Sequence, residues 1–352
     1  MVFPKSTITE PDMTANSFAV PVVRSGSRSK APVFTLGSAR SGTTLLYHML
    51  LSAGGFAVLR SETHAFNVLE PAYGDLTVPR NRKKLLDAWL KTRMFKLSGL
   101  EEREIRAKIM AECNNGGDFL RLFMGEIARK QGTERWAECT PDHLLLIDRI
   151  KQTIPDALII HIIRDGRDVA LSLDKQKWIR PFPWDADKHL DVAALHWEWV
   201  VQRGREAGRK LGADYCEISF EQLVLDPRPV LARLSEFIQQ DLNYERIQEA
   251  AIGSVAQPNS SFQKGSSAGE FNPIGRWKQA LSPEQIRTLE ALVGNTLREL
   301  GYTTGDLESK TTGQRRIARR RDRYRHYFDL KLWLKKKPRV GKFLVNKELD
   351  WL

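Results

Sequence analysis

The residues best suited to chemistry lie in one glycine-bearing segment, Pro32 to Leu50, which reads P-V-F-T-L-G-S-A-R-S-G-T-T-L-L-Y-H-M-L. Its start, Val33 to Leu36, predicts a short buried strand, and Thr43 to Leu50 has the apolar content of a helix. A strand that runs through a tight turn into a helix directs backbone N–H groups and the positive end of the helix dipole into the turn. The segment therefore predicts a binding site for phosphate or a similar anion.

This loop differs from the phosphate loop of nucleotide hydrolases in where its positive charge lies. Gly37 and Gly42 fit the spacing G-x-x-x-x-G-K-[ST], but Thr43 stands where that motif has lysine. The charge lies inside the loop instead, at Arg40. The loop is thus suited to phosphate but lacks the lysine that grips the β- and γ-phosphates of a nucleoside triphosphate.

A second anion motif follows at Leu158 to Leu173, L-I-I-H-I-I-R-D-G-R-D-V-A-L-S-L. Its apolar first six residues predict a buried parallel strand, which ends at Arg164; Ser172 follows eight residues later, on the next helix. An aspartate at such a strand end would indicate a magnesium ligand, whereas arginine suits a bidentate grip on phosphate. Asp165 keeps an acid one residue away from this position.

Both motifs resemble those of sulfotransferases that use 3′-phosphoadenosine 5′-phosphosulfate (PAPS). R-S-G-T-T-L, from Arg40, resembles their 5′-phosphosulfate loop in the arginine form typical of tyrosylprotein and many bacterial and carbohydrate sulfotransferases. In the cytosolic small-molecule branch of the family the corresponding loop instead reads P-K-S-G-T-T-W, with lysine at the position of Arg40. The resemblance implies that Arg164 and Ser172 hold the 3′-phosphate and that the loop binds the 5′ end. The loop residues are Ser38, Ala39, Arg40, Ser41, Gly42, Thr43 and Thr44.

The resemblance also indicates a catalytic base. Gly55 to Leu59 predicts a second strand, and S-E-T follows it at Ser61 to Thr63. In the tyrosylprotein branch a glutamate in an E-E-T context is the base, and Glu62 matches it. A carboxylate that accepts the proton of an attacking hydroxyl would assist transfer. His64 is the alternative base, because many cytosolic sulfotransferases use histidine.

Further positions match the family more loosely. W-A-E-C-T-P resembles a strand end where many members have K-T-P, with Cys139 in place of lysine. F-E-Q-L-V resembles the family's Y-E-Q-L-V, so Phe220 keeps a ring that would pack near the nucleotide. Gln257 to Arg276 predicts a long loop that resembles the segment closing over the cofactor. In it, Lys264 and Gly265 are candidates for the 3′-phosphate or adenine.

Composition and charge restrict the class of protein. The chain has 352 residues, 41% hydrophobic and 28% charged, as in soluble globular proteins. Three unpatterned cysteines and the lack of a long apolar run or signal-peptide core favour a cytoplasmic protein. The stretch from Lys310 to Lys347 holds 15 Lys and Arg against two acids, so it accounts for the whole net charge of +12. This stretch predicts either a solvated arm or a peripheral attachment to an anionic membrane or acidic partner; nucleic acid is less favoured.

The pattern as a whole predicts an α/β fold of three layers, with a central parallel sheet flanked by helices as in P-loop nucleotide hydrolases. The expected division is an N-terminal arm (1–31), a sulfotransferase domain (32–303) and a basic, aromatic-containing tail (304–352). The resemblance implies metal-independent transfer of sulfonate from PAPS to a sugar, lipid, peptide tyrosine or small alcohol, releasing 3′-phosphoadenosine 5′-phosphate (PAP). The alternatives are a P-loop kinase with an altered lysine and a non-catalytic, membrane-recruited nucleotide-binding adaptor.

Overall fold

The sheet at the centre of the protein contains four parallel strands. The structure, a computed structural model, describes residues 28–257, 272–305 and 311–345. The strands are β1 (Val33–Leu36), β2 (Ala137–Glu138), β3 (Leu158–Ile163) and β4 (Tyr215–Ser219), in the order β2-β1-β3-β4. β1 and β3 are the central pair, with Val33 opposite Leu158. Both are buried along their whole length, as their unbroken apolar sequences predict.

Helices cover the sheet, and most of them connect consecutive strands. Between β1 and β3 lie α1 (Thr43–Ser52), α2 (Glu70–Tyr73), α3 (Pro79–Trp89), α4 (Arg93–Ser98), α5 (Glu102–Glu112), α6 (Gly116–Lys130) and α7 (Ile147–Thr153). After β3 come α8 (Gly166–Gln176) and α9 (His189–Arg209). After β4 come α10 (Phe220–Leu225), α11 (Pro227–Ile238), α12 (Tyr244–Ala250), α13 (Trp277–Ala280), α14 (Pro283–Glu299), α15 (Thr311–Lys335) and α16 (Pro338–Val345).

Alternating side chains of the central strands form two separate cores. Phe34 and Ile159 belong to one apolar cluster, whereas Val33 and Ile160 belong to the other. Because successive strand residues point to opposite faces, each face of the sheet receives its own layer of helices. The predicted three-layer α/β fold with a parallel sheet is therefore confirmed.

The predicted second strand, Gly55 to Leu59, is not present. Only Phe56 forms a β-bridge, with Arg135, and the N–H of Ala57 donates to the Arg135 carbonyl at 2.7 Å. The neighbouring strand β2 has just two residues. It is too short to form the repeated backbone hydrogen bonds that would make this segment a strand. The segment still runs beside the sheet, and the Tyr47 hydroxyl donates to the Leu59 carbonyl.

The basic segment near the C-terminus is a long helix packed on the body of the protein. Tyr324 and Phe328 of α15 are buried, and Phe328 contacts the rings of His196 and Trp199 on α9. The interpretation as a solvated arm is therefore wrong for this helix. No helix in the described ranges has both the length and the apolar character needed to cross a membrane. The boundaries assigned to the arm, domain and tail stay predictions.

Candidate active site

The loop after β1 is closed tightly by two glycines. A Cβ atom on Gly37 would lie 2.5 Å from the Ile162 carbonyl oxygen, and one on Gly42 would overlap the Phe220 ring. Gly42 also has a φ of 96°, in the left-handed region, and it begins α1 without a side-chain cap. The first N–H groups of a helix have no partner within that helix, so α1 presents them to the loop. This geometry suits an anion.

The two motifs meet at this loop. The Arg40 Nε donates to the Ser172 hydroxyl at 3.0 Å, and the Arg164 Nη1 donates to the Arg40 carbonyl at 3.0 Å. Arg40 itself has a φ of 74°, which turns the backbone so that its carbonyl can meet Arg164. Residues 132 positions apart thus share a hydrogen bond. We call residues 38–44 with Arg164, Ser172 and Phe220 the loop cluster.

Arg164 is buried and held from several sides. Its guanidinium lies 4.6 Å from the centre of the Phe220 ring and donates to the Pro273 carbonyl, while its own carbonyl accepts a bond from the Trp197 indole at 3.1 Å. Within the described part of the chain its Nε has no hydrogen-bond partner. Burial lowers the pKa of both Arg40 and Arg164, and their mutual repulsion and that of Arg276 lower the pKa of Arg40 further. The cluster therefore favours a bound anion.

A second group, Glu62, His64 and Asp142, carries the acids, and we call it the carboxyl cluster. The Glu62 carboxylate lies 3.3 Å from the His64 Nε2 and its side chain is 40% exposed within the cavity. Burial and then the charges of Glu138 and Asp142 together raise the pKa of Glu62 to about 8, and the charge of Arg40 opposes them. Burial lowers the pKa of His64. Glu62 and His64, the two predicted bases, thus lie side by side.

Below this cluster lies a buried carboxylate that the sequence analysis missed, Glu138. It accepts hydrogen bonds from the Thr63 hydroxyl at 2.8 Å and the Thr140 N–H at 3.0 Å, and it pairs with the His143 ring at 2.9 Å. Although burial alone would raise the pKa of Glu138, His143, Thr140 and Thr63 together lower it to about 2. Thr140 in turn accepts from the N–H groups of Thr63 and His64. Glu138 therefore holds the segment that carries Glu62.

Both clusters open into one cavity of about 1150 Å³. Of the predicted residues, those lining it are Ala39, Arg40, Gly42, Thr43, Thr44, Glu62, His64, Arg164 and Phe220. Residues from other segments of the chain also line the cavity, among them Arg60, Arg93, Leu97 and Trp178. The Arg40 guanidinium lies 5.7 Å from the centre of the Trp178 ring. The cavity thus joins a basic side to an acidic one.

The remaining predicted positions lie elsewhere. Ser38 and Ser41 are buried in the loop behind the cavity wall, and Ser172 reaches the site through Arg40. Lys264 and Gly265 lie outside the described residues. Cys139 is buried, and burial raises the pKa of its thiol well above the usual range, so it is not a reactive thiol.

Two acids beside Arg164 fix the chain that returns to the site after the long loop. The Asp168 carboxylate accepts from the N–H groups of Gly275 at 2.8 Å and Trp277 at 3.0 Å. Asp165 is bound by Arg167 and by the Trp277 indole, so it does not face the cavity as an available acid. Sequence spacing could not reveal the contacts of these acids with Gly275 and Trp277, because they join residues more than 100 positions apart.

Comparison with known proteins relates the chain to one family. Residues 32–244 match the model of the sulfotransferase family. A sulfotransferase domain from the curacin biosynthetic pathway is 17% identical, with a TM-score of 0.50 over 78% of this chain and 99% of that one. The sulfotransferase domain of the Synechococcus PCC 7002 olefin synthase is 18% identical, with a TM-score of 0.48 over 74% of this chain and 93% of that one.

A third solved structure, sulfotransferase STF9 from Mycobacterium avium, is 16% identical, with a TM-score of 0.43 over 78% of each chain. At such identities the structural likeness bears on the fold alone. No curated protein sequence matches the chain significantly. The family match covers more than half of the chain and includes both anion motifs, and the chain therefore belongs to the sulfotransferase family.

Proposed function

We propose that this protein transfers the sulfonate of PAPS to a hydroxyl acceptor. The observation that carries the proposal is the junction of the two motifs, in which Arg40 bonds Ser172 and Arg164 bonds the Arg40 carbonyl. Two anion-binding motifs that meet at one cavity suit a ligand with phosphate groups at two positions, as PAPS has. The lysine that a P-loop kinase has in the motif G-x-x-x-x-G-K-[ST] has no counterpart here, since Thr43 occupies its position and is buried.

The loop cluster would hold the donor. In this proposal the loop N–H groups with Thr43 and Thr44 bind the 5′-phosphate, and Arg164 and Ser172 bind the 3′-phosphate. The Phe220 ring, which already lies against Arg164, would support the nucleotide. The contribution of Lys264 and Gly265 on the 3′-phosphate or adenine side belongs to the same proposal. Because Ser172 is bonded to Arg40, donor binding would exchange this bond for bonds to phosphate oxygens.

The carboxyl cluster would supply the base. The acceptor oxygen attacks sulfur, its proton passes to the Glu62 carboxylate, and the bond between sulfur and the bridging phosphate oxygen breaks to release PAP. Arg40 neutralises the charge that develops on the sulfonate and the leaving phosphate. A base with a pKa of about 8 is well matched to a hydroxyl proton near neutral pH. His64, at 3.3 Å, would orient Glu62 or replace it as the base.

The proposed acceptor shares the cavity with the donor. A cavity of about 1150 Å³ is large enough for the donor and part of a sugar, lipid, peptide tyrosine or small alcohol. The cysteines in the described part of the chain are free thiols, in keeping with a cytoplasmic location, which is part of this proposal.

One experiment tests the transfer itself. The purified protein is incubated with isotopically labelled PAPS and a small-molecule and lipid extract, and the products are searched by mass spectrometry for a labelled sulfonate. We expect new sulfated products and stoichiometric PAP with the wild type, and neither with Arg40→Ala. Labelled phosphate transfer from Mg·ATP, with no product from PAPS, would instead establish the kinase alternative.

A further inference from the structure

The helix α15 divides its basic residues between two faces. On the inner face, Arg320 forms an ion pair with Asp191 at 2.9 Å, and Arg321 forms one with Glu198 at 3.2 Å. Tyr324, on the same helix, donates its hydroxyl proton to Asp185 at 3.1 Å and is fully buried. These contacts explain part of the basic sequence as packing against the body. They do not explain the rest of it.

The outer face of α15 carries a continuous exposed row. Its members follow one another at spacings of three or four residues, which places them on one side of a helix. All are exposed: Arg315, Arg319, Arg323, His326, Leu330 and Trp333 on α15, and Lys337 in the turn that follows it. We call this row the outer stripe. The exposed acid on this side of the helix is Asp322, between Arg319 and His326, and the arginines of the stripe form no ion pair with any residue in the described ranges.

The stripe changes character along the helix. Its first half is basic, whereas its second half presents Leu330 and Trp333, which are 54% and 55% exposed. The Lys337 ammonium lies 4.7 Å from the centre of the Trp333 ring. Large apolar side chains of this size are seldom left in water beside one another without a partner. The stripe therefore combines positive charge with apolar surface.

The helix α16 also combines exposed apolar and basic side chains. Its inner face packs on α2, since Val345 is buried beside Val68 and Ala72. Phe343 lies two residues before Val345, so the helical repeat directs it away from that contact, and it is 79% exposed. Lys342, next to it, is also exposed. The turn between the helices is tight, because the Gly341 N–H donates to the Lys337 carbonyl at 2.6 Å.

We propose that the outer stripe and Phe343 form a surface that binds anionic lipid bilayers from one side. Arginine and lysine would contact lipid phosphates, while Leu330, Trp333 and Phe343 would enter the boundary between head groups and acyl chains. A nucleic acid would satisfy the charges but give the exposed Phe343 no apolar layer to enter, whereas a bilayer provides both along one continuous surface. This surface lies on residues outside the cavity, so the inference is independent of the proposed activity.

The test is sedimentation of the full chain with vesicles of phosphatidylcholine, alone or with about one third phosphatidylglycerol. We expect binding only to the anionic vesicles. The double variant Arg319→Gln/Arg323→Gln should weaken it about 25-fold, since each basic residue contributes roughly a fivefold factor. Trp333→Ser/Phe343→Ser should weaken it about tenfold, through the loss of inserted apolar area.

A matched control changes similar residues away from the stripe: Arg103→Gln/Lys84→Gln for charge and Leu225→Ser, 64% exposed, for apolar area. These variants should bind like the wild type, and thermal unfolding should be equal in all of them. Equal binding to neutral vesicles, or stripe variants that bind like the controls, would overturn the proposal. Binding that depends on the arginines alone and is fully displaced by heparin would overturn it as well, because it would identify a general polyanion surface.

Discussion

The loop cluster and the carboxyl cluster line the same cavity but carry opposite charge. In the first, partial burial and then the charges of Arg164 and Arg276 lower the pKa of Arg40. In the second, burial and then the charges of Glu138 and Asp142 raise the pKa of Glu62 to about 8. Each cluster thus favours a different event, the binding of an anion on one side and the acceptance of a proton on the other. The cavity is polarised before any substrate enters, which reduces the reorganisation needed for transfer.

The two clusters are also held differently. The loop cluster is fixed by backbone contacts, such as the close approach of Gly37 to the Ile162 carbonyl. The carboxyl cluster is held by one buried side chain, Glu138, through Thr63 and Thr140. Single substitutions should therefore disturb the carboxyl cluster's structure more easily than that of the loop. The following predictions separate the two clusters.

Glu62→Gln should have the largest effect on turnover. We expect kcat to fall by about 10²- to 10⁴-fold, the range for loss of a general base. In the wild type, kcat/KM should rise with pH up to about 8, because the base must lose its proton to act. The variant His64→Asn tests the alternative that His64 is the catalytic base. If Glu62→Gln keeps the wild-type pH profile, a group other than Glu62 is the catalytic base.

Arg40→Ala should lower kcat by about 10²- to 10³-fold, through loss of charge stabilisation at the leaving phosphate. It should also move the rising limb of the pH profile upward, because Arg40 opposes the raised pKa of Glu62. Arg40→Lys, which keeps the charge, should retain much more activity. Thermal unfolding should change little in both variants. An unchanged kcat in Arg40→Ala would contradict the assigned role.

Glu138→Gln should act mainly on stability, and because the Glu138 charge raises the pKa of Glu62, it should also move the rising limb of the pH profile downward. The pKa of Glu138 is lowered to about 2 in the folded protein, below its ordinary value. Its stabilising contribution is therefore present above the unfolded-state pKa and is lost as pH falls toward 2. We expect a loss of about 3 kcal/mol in urea unfolding at pH 7, and a smaller difference between variant and wild type at pH 3. Equal losses at both pH values would contradict this explanation.

Ser172→Ala should have the smallest effect of the series. It removes one hydroxyl that accepts from Arg40, so we expect a loss of about tenfold or less. The loss should fall on KM for PAPS and leave kcat nearly unchanged, because the 3′-phosphate is remote from the reacting sulfur. Steady-state kinetics with varied PAPS would measure this split. A fall in kcat alone would show that Ser172 acts in the transfer step and not in donor binding.

Much of the loop side can be predicted from sequence because its determinants are local. β1 and β3 have the predicted bounds. The carboxyl side depends on contacts between distant segments, such as Thr63 with Glu138, so its support was missed. The false strand at Gly55 to Leu59 has a similar origin, since a strand needs a neighbour of sufficient length.

Titration calorimetry with PAP and with adenosine 5′-monophosphate, which lacks the 3′-phosphate, tests the central claim most directly. We predict that the wild type binds PAP about 10- to 100-fold more tightly, the contribution of a charged hydrogen bond, and that Arg164→Ala abolishes this preference while still folding. Tight binding of Mg·ATP by a wild-type protein that does not bind PAP would contradict the account.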